Sequence, residues 1–182
     1  MRTLKSITVL FTMLFGVVVM AQTEKDQEIM QDAEQARQTL MQKDSGLERF
    51  FDDSAGYVIF PNVGKGGLLV GGASGNGVLY EDGVAVGMAD LKKLSIGLKA
   101  GGQALTEVIF FETEDDVAEF KDGDFEFAAG VSAVAVKSGV AANAKYKDGV
   151  AVFALPKAGL MADASVGGQK FGYSPFVEDM EE

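Results

Sequence analysis

Between Glu24 and Met41 apolar residues recur at helical spacing: Ile29, Ala33, Ala36 and Leu40 form one stripe, flanked by Met30, Arg37 and Met41. That period predicts an amphipathic helix. Its polar face is rich in Gln and Glu rather than Lys, which favours packing on another layer over a membrane-surface role. Ser45-Gly46-Leu47-Glu48 has the form of a capping box, so a second, short helix is expected, with Leu47, Phe50 and Phe51 on one side and Gly56 as its end. After Tyr57 the period changes to two. From Lys92 to Ala100, Leu94, Ile96, Leu98 and Ala100 alternate with Lys93, Ser95, Gly97 and Lys99, which predicts a strand whose wet face carries the lysines. Tyr80-Glu81-Asp82-Gly83-Val84 and Tyr146-Lys147-Asp148-Gly149-Val150 each place Asp-Gly between strand-like runs, a hairpin signal. Thr113 is placed to cap a helix with Glu114, Asp115 and Asp116 in its first turn, Val117 and Phe120 facing inward, and Gly123 closing it.

The hairpin sequences YEDGVAV and YKDGVAV are offset by 66 residues, and Gly101-Gly102-Gln103 recurs at the same offset as Gly167-Gly168-Gln169. Leu94 with Leu160 and Gly64 with Gly130 follow the same spacing. This predicts two similar antiparallel β-units in one closed or nearly closed sheet. The run from Tyr57 to Tyr80 holds seven glycines. Glycine inside a strand weakens it, so repeated use signals bulging, coiling, or close approach of a backbone or ligand, and curvature is the simplest account. The run is not a phosphate loop: Gly64-Lys65 is followed by Gly66, and Gly75-Asn76-Gly77 leads into strand-like Val78-Leu79-Tyr80 rather than a helix.

Composition narrows the function classes. The chain has no Cys, His or Trp among its 182 residues. Without Cys or His the usual ligands of zinc, copper, haem and iron–sulfur centres are missing, as are Ser-His and Cys-His nucleophile pairs. A non-catalytic protein with no cofactor and no metal is expected. Asp122, Asp124 and Glu126 alternate, but the rest of a calcium loop is missing, so they read as a solvated turn. Arg2 and Lys5, the apolar stretch from Ile7 to Met20 and Val19-Met20-Ala21 before Gln22 read as a secretory signal peptide, too short to span a bilayer. The expected layout is a leader over 1–21, helices over 22–55, a β-rich domain over 56–175 and an acidic tail over 176–182. Export without disulfides suits a bacterial periplasm or secreted space.

Removing Arg2 and Lys5 takes the 16 basic residues to 14 against 27 acids, and the net charge from −11 to −13, which argues against a nucleic-acid partner. The charge is uneven. Residues 112–126 hold eight acids against Lys121, whereas Phe127 to Ser174 hold five lysines and two aspartates. A locally basic surface therefore fits within an acidic chain.

The segment FPNVGKGGLLVGG (60–72), followed by SIGLKAGGQALTEVIFF (95–111), a helical piece near 113–121 and FEFAAGVSAVAV (125–136), resembles the SYLF-domain family of lipid-binding modules, over about Phe50 to Tyr173. With that resemblance, the fold class expected is α+β: N-terminal helices packed on a strongly coiled, barrel-like antiparallel β-sheet, with two pseudo-repeated β-units and a short helix between them. The resemblance also implies a phospholipid or membrane-surface partner. The candidate contacts are Lys65, Lys93, Lys99, Lys145 and Lys147, each worth on the order of 1 kcal/mol near an anionic leaflet. An exported chain does not meet cytoplasmic actin, the partner suggested by eukaryotic members. Two other readings stay open: a small outer-membrane β-barrel, opposed by the lack of Trp and only four Tyr for two aromatic girdles, and a structural or stress-related envelope protein with a protein partner.

Overall fold

The computed structural model describes residues 24–66, 70–96, 103–123, 125–128, 131–157, 166 and 168–176. The leader, Lys99, Asp124, Leu160, Gly130, the glycines at 101, 102 and 167, and tail residues 177–182 lie outside the described residues. The helices are α1 (24–43), α2 (Glu48–Asp53) and α3 (Glu114–Asp122). The strands are β1 (Gly56–Gly66), β2 (Val70–Glu81), β3 (Val84–Ile96), β4 (Gln103–Phe111), β5 (Val134–Ala135), β6 (Val150–Pro156) and β7 (Gln169–Pro175). The protein is thus α+β.

The strands form one sheet in the order β5-β6-β4-β1-β2-β3-β7. Every neighbour pair is antiparallel except β5–β6, which is parallel. The sheet is mixed and not closed; of the closed or nearly closed antiparallel sheet expected from the repeats, full closure and uniform antiparallel pairing are corrected. Closure requires two edges of comparable length that pair, and β5 offers two residues.

Both faces of the sheet are covered. Along β1, Tyr57 and Ile59 enter one core while Val58 and Phe60 enter the other, which is why this strand reads as continuously apolar. On the first face α1 contributes Ala33, Ala36 and Leu40, and α2 contributes Phe50 and Phe51, against Tyr57, Val108, Phe110 and Phe153. On the second, Val117 and Phe120 of α3 and Phe125 and Val131 of the following coil pack on Phe60, Leu91, Ile109, Phe111 and Phe171. Each such aromatic or aliphatic side chain contributes about 1.5–3 kcal/mol through burial.

Two side-chain contacts cross the sheet. The rings of Phe60 on β1 and Phe171 on β7 have centroids 5.9 Å apart, although β2 and β3 lie between their strands. Gln169 Nε2 on β7 donates to Glu107 Oε2 on β4 at 3.2 Å, with β1, β2 and β3 between them.

Local signals explain the strand and helix ends unevenly. Thr113 caps α3 with a reciprocal box to Asp116, and Gly123 ends it at φ 78°. Asp82 and Gly83 turn β2 into β3 with both residues at positive φ, the conformation that Asp-Gly supplies most readily. Asp148 and Gly149 adopt the same φ pair, but the second turn closes only an isolated bridge, Lys147 to Val150, so it is not the hairpin the sequence predicts. The 66-residue offset carries the first residue of β3 onto that of β6 and the first of β4 onto that of β7. The positions matching β1 and β2, 122–147, hold only β5 among the described residues, because Phe125, Val131, Ala133 and Val136 there are buried against sheet faces rather than paired along an edge. The capping-box reading at Ser45 is also corrected. Asp44, not Ser45, caps a 3₁₀ turn over Ser45–Leu47, and α2 ends at Asp53, leaving Gly56 to open β1.

The glycine-rich run bends rather than lies flat. Register shifts fall in β1 between Phe60 and Val63 against β4, where Pro61 has no N–H to lend the ladder. Thr106 Oγ1 donates to the Pro61 carbonyl at 3.1 Å, and Asn62 Nδ2 reaches Asp32 of α1 at 3.0 Å. Facing this bulge, a Cβ on Gly77 would lie 2.5 Å from the Ile59 carbonyl oxygen, so the two backbones approach closer than any side chain allows.

Candidate functional site

Strand register decides where the predicted lysines stand. Lys65 of β1 lies opposite Gln103 on one side and Ala73 on the other; Lys93 of β3 lies opposite Ala73 and Gln169. Gln103, Lys65, Ala73, Lys93 and Gln169 therefore form one row across five strands. Directly opposed positions share a face. Leu91 and Phe171, two residues from Lys93 and Gln169 along their strands, are buried in the second core. Lys92, one residue before Lys93, is exposed and paired with Asp90 at 3.0 Å.

At the end of the row the polar pair Gln169 and Glu107 is buried, at 5% and 3% exposure. Gln169 Oε1 has no hydrogen-bond partner among the described residues. A buried amide oxygen of this kind loses its hydration without a protein replacement.

Lys145 and Lys147 do not join this row. Both are exposed and precede β6, Lys145 in coil and Lys147 in an isolated bridge to Val150, so the strand expected to carry them on one face does not form. Val150 pairs with Phe111 at one end of β4, whereas Lys65 pairs with Gln103 at the other. Eight residues of strand separate those ends, about 27 Å at the usual rise.

Lys145 instead lines a cleft of about 380 Å³ with Arg49, Phe50, Asp53, Glu112 and Tyr146. Two anchors build its floor. Arg49 lies over the Phe50 ring at 4.6 Å and donates to the carbonyls of Ala141 and Ala144 at 2.9 and 2.6 Å. Asp44 accepts from the backbone N–H groups of Gly46 at 3.0 Å and Ala141 at 2.7 Å. Burial alone would raise the Asp44 pKa, but N–H donors from Ala141, Gly46, Gly139 and Val140 outweigh it and hold the carboxyl below its usual range. These contacts dock residues 139–146 on α2.

Phe50 and Tyr146 meet edge-on, with centroids 5.4 Å apart. The Tyr146 hydroxyl is buried with no hydrogen-bond partner among the described residues. Its pKa is pushed up to about 12, first by burial and then by the carboxylates of Glu112 and Asp53. The side chains of Asp53, Glu112 and Lys145 make no ion pair or hydrogen bond among the described residues. Composition and spacing point to none of these cleft residues except Lys145, because α2, the end of β4 and the coil before β6 are far apart in sequence.

Among the described residues no group of three or more acidic side chains is arranged to hold a metal ion, and no helix is long and apolar enough to cross a membrane. Comparison with curated proteins finds similarity to Beta cell expansion factor A of Aeromonas veronii, 28% identical over 134 residues, which is 72% of this chain and 51% of that protein. The chain spans about half the length of that relative. No family model matches the chain.

Proposed function

We propose that this chain is a non-catalytic lipid-binding protein of the bacterial envelope, of the SYLF kind, whose curled sheet offers Lys65 and Lys93 to the head group of an anionic phospholipid. The observation that carries the reading is their shared neighbour Ala73: two lysine positions flank a small residue on one face, about 10 Å apart across two strand spacings. Two lysine positions so spaced suit a phosphate, which carries negative charge on several oxygens. The motif FPNVGKGGLLVGG, which carries the family resemblance, contains Lys65 and ends on the two glycines that precede Ala73. The relative's name specifies no ligand.

Curling of the sheet supports the same reading. On a flat sheet, three strand spacings would hold Phe60 and Phe171 about 14 Å apart. Their ring contact and the Glu107–Gln169 hydrogen bond support a β1–β7 side that wraps toward α3. An outer-membrane barrel would need closure and a bare apolar exterior, whereas the described sheet is open and covered on both faces.

Co-sedimentation of the mature protein with vesicles of graded anionic content tests the proposal. Binding should rise with anionic lipid, fall with salt, and drop in Lys65→Glu and Lys93→Glu while Lys147→Glu binds as wild type. Failure to bind any vesicle, or equal loss in all three variants, would count against it.

A further inference from the structure

The cleft at the opposite end of the sheet has a chemistry of its own. Its walls bring Asp53 of α2 and Glu112, just past β4, together around Tyr146, while the nearest guanidinium, Arg49, is occupied by the Ala141 and Ala144 carbonyls and the Phe50 ring. Both carboxylates therefore lack a cation from the described residues. Lys145 sits on the same lining with no anion. The Tyr146 oxygen is buried without a partner. Charges of both signs and two aromatic residues, one of them the tyrosine with the unused oxygen, line a volume of about 380 Å³, the size of a small metabolite site. A purely anionic ligand would meet two carboxylates, and an apolar one would strip water from all of these groups without replacing it.

We propose that this cleft binds a small zwitterion, its primary ammonium among Asp53, Glu112 and the Tyr146 hydroxyl, and its phosphate or carboxylate beside Lys145. The ammonium has three N–H donors, matching two carboxylates and one hydroxyl acceptor. The neighbouring edges of Phe50 and Tyr146 accommodate a short alkyl linker. Since Asp53, Glu112 and Lys145 are exposed, each contributes little by itself, and affinity in the millimolar range is expected.

The probe is O-phosphoethanolamine, titrated into the folded protein and followed by calorimetry and amide chemical shifts. Saturable binding with shifts confined to α2, Glu112 and residues 144–146 is expected, with ethyl phosphate and ethylamine each binding more weakly. Glu112→Gln should weaken binding about two- to fivefold. Tyr146→Phe should weaken it while leaving thermal stability unchanged, since the hydroxyl has no partner to lose. Phosphatidylethanolamine vesicles that compete with the probe would identify a lipid head group as the source of this chemistry; vesicles that do not would identify a soluble amine, with the site standing in both cases. No saturable binding at millimolar probe, or ethyl phosphate binding as well as the zwitterion, or both variants binding as wild type, would overturn the proposal. The site is separate from the lysine row, so Tyr146→Phe should keep the anionic-vesicle binding that Lys93→Glu loses.

Discussion

The carboxylate of Asp44 lies 2.7 Å from the backbone nitrogen of Ala141, 97 residues further along the chain, and joins the α1–α2 corner to the coil before β6. At 3% exposure, Asp44 is a buried charge whose hydration is replaced by backbone N–H groups.

Asp44→Ala should destabilise the protein by about 2–4 kcal/mol, because it leaves several buried N–H groups without an acceptor. Asp44→Asn, which keeps one oxygen, should lose less. The folded-state pKa is lowered, so the stabilisation is present above the ordinary value of 3.8 and is lost as pH falls through the folded value. Urea denaturation at neutral and acidic pH checks this: the gap between wild type and Asp44→Asn should narrow toward low pH.

Tyrosine titration supplies the alkaline counterpart. Burial raises the pKa of all four tyrosines, to about 12 for Tyr80 and Tyr146. A raised phenol pKa contributes stability fully present below the unfolded value of about 10 and lost as pH climbs through the folded one. Ultraviolet absorbance of phenolate should therefore rise late, together with loss of folded structure, rather than near pH 10 in the intact protein.

Two glycines of β1 and β2 should respond in opposite ways. Gly77→Ala forces the backbones apart, since the new methyl would lie 2.5 Å from the Ile59 oxygen and 2.6 Å from the Phe60 ring, and should cost about 2 kcal/mol or more. Gly64→Ala meets nothing within 4 Å and should change stability by no more than about 0.5 kcal/mol. Thermal melts of the pair decide whether close approach, rather than glycine content, governs this run.

The two Asp-Gly turns offer a matched comparison. Gly83→Ala meets open space and bears only the positive-φ strain of about 1 kcal/mol. Gly149→Ala bears the same strain and also drives its methyl into the Asp116 carboxylate, which accepts from Thr113 N at 3.0 Å in the α3 cap. It should cost about 1 kcal/mol more. Equal melting temperatures for the two variants would show that the α3 cap gives way freely.

What the sequence by itself determines here is what short-range chemistry decides. Thr113, Asp116 and Gly123 bound α3 because a cap needs only three neighbours and a left-handed terminus. Asp82-Gly83 makes a hairpin because its positive φ values are intrinsic to that pair. The stripe of Ala33, Ala36 and Leu40 marks the buried side of α1 through its period alone. Tertiary structure decided the rest. Asp148-Gly149 has the same local geometry as the first turn but lacks a hairpin, since pairing needs a strand before it and residues 139–146 are held on α2 by Asp44 and Arg49 instead. Ala89 and Leu91 of β3 are buried by α3 and the coil after it, cover that comes from elsewhere in the chain. The lysines, alike in sequence, fall at opposite ends of β4, and Asp53, Glu112 and Tyr146 converge only through packing. Backbone preference acts over a few residues, while a binding site depends on which distant segments the core brings side by side.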